Sequence, residues 1–466
     1  MPVALRDSRA RRRFVSRAAL ALAAVAAACG AAASCAASRE AFMPGADGGP
    51  AEASTVFSDD SGGPDGACHG LACRQVVCPG GGTTTVTGTV TTPATVDPDP
   101  LYNAVVYVPN GPVLPFSKGV ACDHCGAPAS GSPLVDALTA ADGTFTLANV
   151  PAGKDVPLVI QLGRWRRQVK IPEVQACQAT ALTANLTSLP GKQADGDIPL
   201  FAVATGALDP VECVLRKIGI DDSEFTAPTG GGRVHMFVQN GLAPGSGAPP
   251  ASTLWTTPAA LDAYDIVLFP CEGEANTKPL EAMQNVIDYT TAGGRVFATH
   301  YSYVWIDGAP QPFPSTADWN PDQAFPADPL TGLVDTSFAK GKAMADWLTN
   351  VGASPSYGEI SIEAPRHDVD GVTSVSQEWI SSVDPVSAQH FTFNTPIGVD
   401  AGAQCGKVVY SDFHVAANEV DGGGTFPLAC DMGPLTAQEK VIEFMLFDLA
   451  SCIQDERQPP VPPPTQ

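Results

Sequence analysis

Charge is scarce in this chain. Only 16% of its 466 residues are Asp, Glu, Lys or Arg, and the bases are the rarer kind, 26 Lys and Arg against 49 Asp and Glu, for a net −23. A chain so short of cations repels a phosphate backbone, which excludes a nucleic-acid partner. Aromatic residues are also few, at 7%. The apolar run Ala18 to Ala28 is too short to cross a bilayer as a helix. Glycine and proline, in contrast, are abundant: 45 and 43 residues, about a fifth of the chain against an ordinary level near 12%. The chain is therefore loop-rich without being wholly disordered, and its length predicts two or three domains.

Residues 1–28 read as an export signal. Arg6, Arg9, Arg11, Arg12, Arg13 and Arg17 form a positive region ahead of the apolar run. Arg11-Arg12-Arg13-Phe14-Val15 is a partial twin-arginine pattern, and a general secretion signal fits equally. Cys29 and Cys35 each follow a run of small residues resembling a bacterial lipobox, so one of them is the expected lipidation site. Loss of residues 1–28 removes six Arg and one Asp and leaves −28. Residues 29–66, rich in Gly, Ala, Ser, Asp and Pro, read as a disordered linker. The expected address is the cell envelope (outer membrane or periplasm) or the exterior, with a lipid anchor as the membrane contact.

Export makes disulfides the default for cysteine. Ten residues are disulfide candidates: Cys68, Cys73, Cys78, Cys122, Cys125, Cys177, Cys213, Cys405, Cys430 and Cys452. With Cys271 the set is eleven, an odd number, so at least one thiol is free or pairs elsewhere. Residues 67–82 form a Cys-rich segment. Cys122 and Cys125 beside His124, with His69 and the 68–78 cysteines, could instead supply zinc ligands.

Residues 83–194 predict a small antiparallel β-sandwich. Strands are expected over Thr83–Val90, Asn103–Pro109, Thr144–Leu147, Pro157–Leu162, Arg167–Ile171 and Thr180–Leu189, punctuated by Gly, Pro and Asp. The order Val86-Thr87-Gly88-Thr89-Val90, then NAVVYV, then DGTFTLANVPAG (142–153) resembles the carboxypeptidase regulatory-like, transthyretin-type sandwich, with residues 112–137 as an insertion. That resemblance implies a structural or binding module.

Residues 195–453 change pattern and predict a mostly parallel, flavodoxin-like α/β domain. Strands are expected at Leu200–Gly206, Val234–Val238, Asp265–Pro270, Arg295–Thr299 and Gly406–His414, and Ile360, Ile362 and the run His390–Asn394 also suit strands. Helices are expected over 210–218 with Asp209 as cap, after Thr277, over 338–348, and after Thr436. The segments YDIVLFPCEG (264–273) and AGGRVFATHYS (292–302) resemble the class I glutamine amidotransferase-like superfamily, closest in flavour to its trehalose-utilisation-protein branch. In amidotransferases the fourth strand opens onto G-x-C-x-G with its nucleophilic Cys. Here Thr299-His300-Tyr301 stands at that place, without the Cys and without the glycines of a strained turn. Residues 454–466, Pro-rich, read as a disordered tail.

In open α/β sheets ligands bind beyond the carboxyl ends of the strands. Cys271, His300 and His414 fall there, with Glu272 adjacent and Glu419 five residues past His414. Two chemistries fit: His300 and His414 as ligands of a divalent metal, or His300 as a general base on a sugar-like substrate beside Tyr301, Ser302 or Tyr303. The alternative is a degenerate site, its histidines bonded to backbone and Cys271 in a disulfide, for instance with Cys213. Asp368-Val369-Asp370-Gly371 reads as a turn. The expectation is an exported binding or structural protein, not an enzyme, without a cofactor and with a carbohydrate or protein ligand. The rival is a metal- or His-dependent hydrolase acting on carbohydrate or amide substrates.

Overall fold

The computed structural model describes residues 68–415 and 424–466. The export signal, the linker, Cys29, Cys35 and Glu419 lie outside these residues. Among the described residues no helix is long and apolar enough to cross a membrane.

Seven strands come first: β1 (Thr85–Thr89), β2 (Val105–Pro109), β3 (Pro133–Leu138), β4 (Thr144–Ala148), β5 (Gly153–Leu162), β6 (Trp165–Val174) and β7 (Ala179–Ala181). They make a three-stranded sheet, β4-β1-β7, and a four-stranded antiparallel sheet, β3-β2-β5-β6. Period-two alternation sends Val86, Phe145 and Leu147 from the first sheet, and Val106, Leu158 and Ile160 from the second, into one hydrophobic cluster. The strand expected over Thr180–Leu189 is shorter. After β7 the chain turns into the single-turn helix α1 (Ala184–Thr187).

Twelve strands follow: β8 (Phe201–Ala204), β9 (Phe225–Thr226), β10 (Val234–Phe237), β11 (Ile266–Phe269), β12 (Arg295–Thr299), β13 (Ala317–Trp319), β14 (Leu330–Val334), β15 (Glu359–Ile362), β16 (Val369–Val372), β17 (Ser376–Val383), β18 (Val386–Thr395) and β19 (Gly406–Ser411). Interleaved are α2 (Val211–Lys217), α3 (Pro258–Leu261), α4 (Leu280–Thr291), α5 (Ala339–Asn350) and α6 (Ala437–Ala450). Ten of these strands form one mixed sheet, β15-β14-β17-β18-β19-β12-β11-β8-β10-β9. The run from β19 to β9 is parallel. The remainder is antiparallel, so the sheet is less parallel than the sequence predicts.

Both faces of the parallel half are buried, which is why its strands are continuous apolar runs. Phe201, Val203, Ile266, Leu268, Phe297 and Val409 point to the core shared with α2, α5, α6 and the two small sheets. Ala202, Ala204, Val267, Phe269, Val296 and Ala298 point to the core under α3 and α4. Trp165 of β6 joins the small sheets to the large one, its ring 5.5 Å from Phe201 and 4.9 Å from Phe447. The last helix is capped as predicted, by a reciprocal capping box between Thr436 and Glu439. α4 instead starts at Leu280 behind Pro279, with no cap from Thr277. The Pro-rich end, expected to be disordered, lies against the four-stranded sheet: Gln466 N donates to Pro133 O at 2.9 Å.

Five disulfides form among the described residues: Cys68–Cys73, Cys78–Cys177, Cys122–Cys405, Cys125–Cys452 and Cys213–Cys430. Cys122 and Cys125 each cross to the chain beyond residue 400. Their sulfurs are spent in bridges, which removes the zinc reading of that motif. Five bridges fit an oxidising compartment and not the reducing cytosol. Cys213 pairs with Cys430, so the pairing of Cys271 with Cys213 is overturned; Cys271 is a buried free thiol.

Candidate functional site

β8, β11, β12 and β19 end on the same rim of the sheet, and each is followed by a side chain of one buried cluster. The chain leaves β11 through Pro270 into Cys271, whose backbone N donates to Thr299 Oγ1 at 2.9 Å. It leaves β12 through Thr299 into His300, which starts a 3-10 helix over His300–Trp305.

His300 has φ +39°, a left-handed conformation that costs a non-glycine residue energy and marks functional turns. The sharp strand-to-helix turn is therefore present without the glycines. Neighbouring groups enforce it: Tyr410 OH donates to His300 O at 3.0 Å, and Ser302 Oγ donates to Pro270 O at 3.0 Å.

His414 lies three residues beyond β19. Its Nδ1 is 3.0 Å from Asp209 Oδ1, which also accepts from Val415 N at 2.7 Å. Asp209 Oδ2 accepts from Thr299 Oγ1. Asp209 is thus not the helix cap that the sequence predicts. Pro210 takes the N-cap place of α2, without a side-chain cap bond, and the carboxylate points into the cluster.

The three side chains converge. Cys271 Sγ is 3.3 Å from His300 Nδ1. The two imidazoles meet edge to face, ring centres 4.8 Å apart. One ligand atom from each of Cys271, His300 and His414 lies within 4.8 Å of the others. This meets the requirement that the two histidines be close enough to share an ion. On the far side, His300 Nε2 is 3.5 Å from Asp368 Oδ2. His414 Nε2 and Asp368 Oδ2 are buried without a hydrogen-bond partner. Asp368 N donates to Asp412 Oδ2 at 2.7 Å, placing two carboxyls side by side.

Burial dominates the electrostatics. It pushes His300 down to about 2, with His414 and Arg366 adding to the effect. It pushes the Cys271 thiol up to about 12, with Asp209 second. Burial likewise raises Asp368, and it raises Asp412 well above the usual carboxylate range, with Asp368 contributing. The pair is a neutral imidazole beside a thiol, unlike the thiolate–imidazolium pair of a cysteine nucleophile. Neutral imidazole nitrogens are metal ligands, and a metal takes the thiol as thiolate. In a tetrahedral zinc site the sulfur and nitrogen ligands stand roughly 3.3 to 3.7 Å apart. The 3.3 Å between Cys271 Sγ and His300 Nδ1 suits one edge of such a site.

Glu272 is not part of the cluster. Its carboxylate turns to Lys278 Nζ and to Asn276 Nδ2 at 3.1 Å. The sequence reading missed Asp209, taken for a cap, and Asp368, taken for a turn residue. The one local signal was Asp368 close to Asp370, and these two have different surroundings: Asp370 is half-exposed and pairs with His367 at 2.9 Å.

No known protein-family profile matches the chain, and no curated protein matches it. Solved structures do. A cytoplasmic protein from Salmonella typhimurium aligns over 55% of this chain and 100% of its own, at 9% identity and TM-score 0.30. Putative ThuA-like proteins from Bacteroides uniformis and Parabacteroides merdae align over 53% and 57% of this chain and 90% and 95% of theirs. Their identities are 8% and 11%, and their TM-scores 0.27 and 0.29.

Proposed function

We propose that the α/β part of this chain is a metal-dependent hydrolase, with Cys271, His300 and His414 as ligands of one zinc ion. The observation that carries the reading is their convergence at one strand-end rim. A thiolate with two imidazoles favours zinc over calcium or magnesium, which take oxygen ligands. Three protein ligands leave one position open, the pattern of catalytic zinc. An ion there would supply a Lewis acid for activating water or polarising a carbonyl. Asp209 fixes the ring of His414 through Nδ1, and Asp368 faces the outer nitrogen of His300, the usual carboxylate backing of metal-bound histidine.

The fold and address belong to the same proposal. The parallel strands, numbered in chain order without β9, run 2-1-3-4-5, which supports a flavodoxin-like, trehalose-utilisation-type domain. The two small sheets are read as a carboxypeptidase regulatory-like sandwich serving as an interaction module. Five disulfides support an exported protein, tethered to the envelope through Cys29 or Cys35. A second reading is an envelope protein with a binding role and no turnover. It is favoured by the depth of the cluster, with Cys271, His300 and His414 exposed by 0%, 2% and 3%.

Elemental analysis of the purified protein tests the first reading. It expects one zinc per chain, lost in His300→Ala, His414→Ala and Cys271→Ser. It also expects hydrolysis of a nitrophenyl ester, anilide or glycoside that those substitutions abolish. Zinc without turnover would leave the second reading standing, and no zinc in the folded protein would overturn the metal centre.

A further inference from the structure

A second feature lies on the small-sheet side. In the four-stranded sheet the register places Leu138, Val105, Gln161 and Arg166 in one row across β3, β2, β5 and β6. Their neighbours Ala104, Val106, Ile160 and Leu162 belong to the core, so the row is on the opposite face, the one an antiparallel sheet ordinarily turns to water. Here that face is roofed. The 112–132 segment crosses above it, pinned at Cys122 and Cys125 by bridges to Cys405 and Cys452. The Pro-rich end closes another side, with Val461 and Pro463 in the wall. Between floor and roof is a cavity of about 530 Å³. That is within the range of roughly 300 to 1,000 Å³ for small-molecule sites.

The wall chemistry is graded. Leu138, Val105 and Leu114 make one part apolar. At the other part Phe116 lies under the Arg166 guanidinium at 4.0 Å, and Arg166 is already neutralised by Asp197 at 2.8 Å. Gln161 sits between. Its amide makes no hydrogen bond among the described residues, and its Oε1 is buried without a partner. Gln161 is only partly buried, and an amide without a protein partner is satisfied by a group that can both donate and accept.

The geometry points to a binding site for a neutral amphiphile, its apolar tail along Leu138 and Val105 and a hydroxylated head at Gln161. With Arg166 paired to Asp197 and the Asp123 carboxylate also in the wall, the polar end offers no free cation for an anionic head. This site is separate from the Cys271 cluster and stands whether or not that cluster binds metal.

Calorimetric titration of the full chain with octyl glucoside, below its micelle-forming concentration, tests the proposal. Saturable one-to-one binding is expected, at least tenfold weaker for octanoate and absent for glucose. Ala129→Trp in the roof and Leu138→Trp in the floor fill the cavity from opposite sides and should each abolish binding in protein that retains its melting transition. Gln161→Leu should weaken octyl glucoside about tenfold and leave octanoate unchanged. Absence of saturable binding, binding that survives both tryptophan variants, or equal affinity for octanoate would overturn the proposal.

Discussion

Asp209 and His414 are 205 residues apart in sequence and 3.0 Å apart in space, joined Oδ1 to Nδ1. The bond fixes which imidazole nitrogen carries the proton and leaves Nε2 buried without a hydrogen-bond partner. Asp209→Asn preserves the size of the side chain but removes the charge that makes His414 a better ligand. It should lower zinc affinity about 10- to 100-fold, the ordinary effect of losing such a partner. Competition against a chromophoric chelator measures this without any assay of turnover.

The thiol inventory gives a sharper chemical prediction. Among residues 68–466, Cys271 is the one cysteine outside a bridge, and it is buried. Alkylation of the native, metal-free protein should leave it unmodified, and unfolding without reductant should yield one alkylated peptide from that region, carrying Cys271. Peptide mass spectrometry decides. A second labelled peptide would mean that a bridge is missing.

A buried charge network ties the C-terminal end to the sheet. Lys340 Nζ donates to Asp448 at 2.8 Å and Glu456 at 2.7 Å, and Lys407 Nζ donates to Asp448 at 2.7 Å and pairs with Glu456. Two cations meet two carboxylates with nothing left over. Glu456→Gln leaves one positive charge uncompensated and should cost about 3 to 5 kcal/mol, read as a lower urea midpoint. The two lysines hold Asp448 far below the usual carboxylate range against the opposing effect of its burial. Its folded pKa is depressed, so its stabilisation is present above the ordinary carboxylate pKa and is lost as pH falls toward the folded value.

Glu212 has the opposite sign. Neither of its carboxyl oxygens has a partner, and burial pushes its pKa up to about 8, with Asp209 adding to the rise. A raised carboxyl favours the folded state fully only below its unfolded pKa of 4.5, and stability declines as pH rises from there to about 8. Glu212→Gln should remove this slope and stabilise the protein by about 3 kcal/mol at pH 7. Urea unfolding of both forms at pH 5 and pH 8 measures it; parallel pH profiles would reject the assignment.

The bridge Cys125–Cys452 closes a loop of more than 300 residues and holds the 112–132 segment over the four-stranded sheet. Replacing both cysteines by serine should cost about 2 to 5 kcal/mol. Thermal melting reads this directly, and an unchanged midpoint would show that the segment is held by its other contacts.

Local pattern made the parallel half of the sheet readable. Strands buried on both faces are short continuous apolar runs, and Asp265–Pro270 and Arg295–Thr299 stand out against polar surroundings. Of the antiparallel half only Ile360–Ile362 and His390–Asn394 were readable as strands, within β15 and β18, and the rest was hidden by its own chemistry. Over its full length β18 buries Ser387, Gln389, His390, Thr392 and Asn394, so its pattern reads neither as alternation nor as an apolar run. The cap at Thr436 was legible because its partners lie within four residues.

The sequence by itself determined which side chains follow the apolar runs: Cys271, His300 and His414 were placed at the rim, although β19 stops at Ser411 and not at His414 as expected. It also set the supply of cysteines and the acidic balance of the chain. Only the tertiary structure decided that these three meet, that Glu272 turns away to Lys278, and that Asp209 serves a histidine and not a helix. The physical reason is distance along the chain. A cap or a turn is settled by neighbours a few residues away, whereas a carboxylate 205 positions from its imidazole finds it only after the sheet between them has formed.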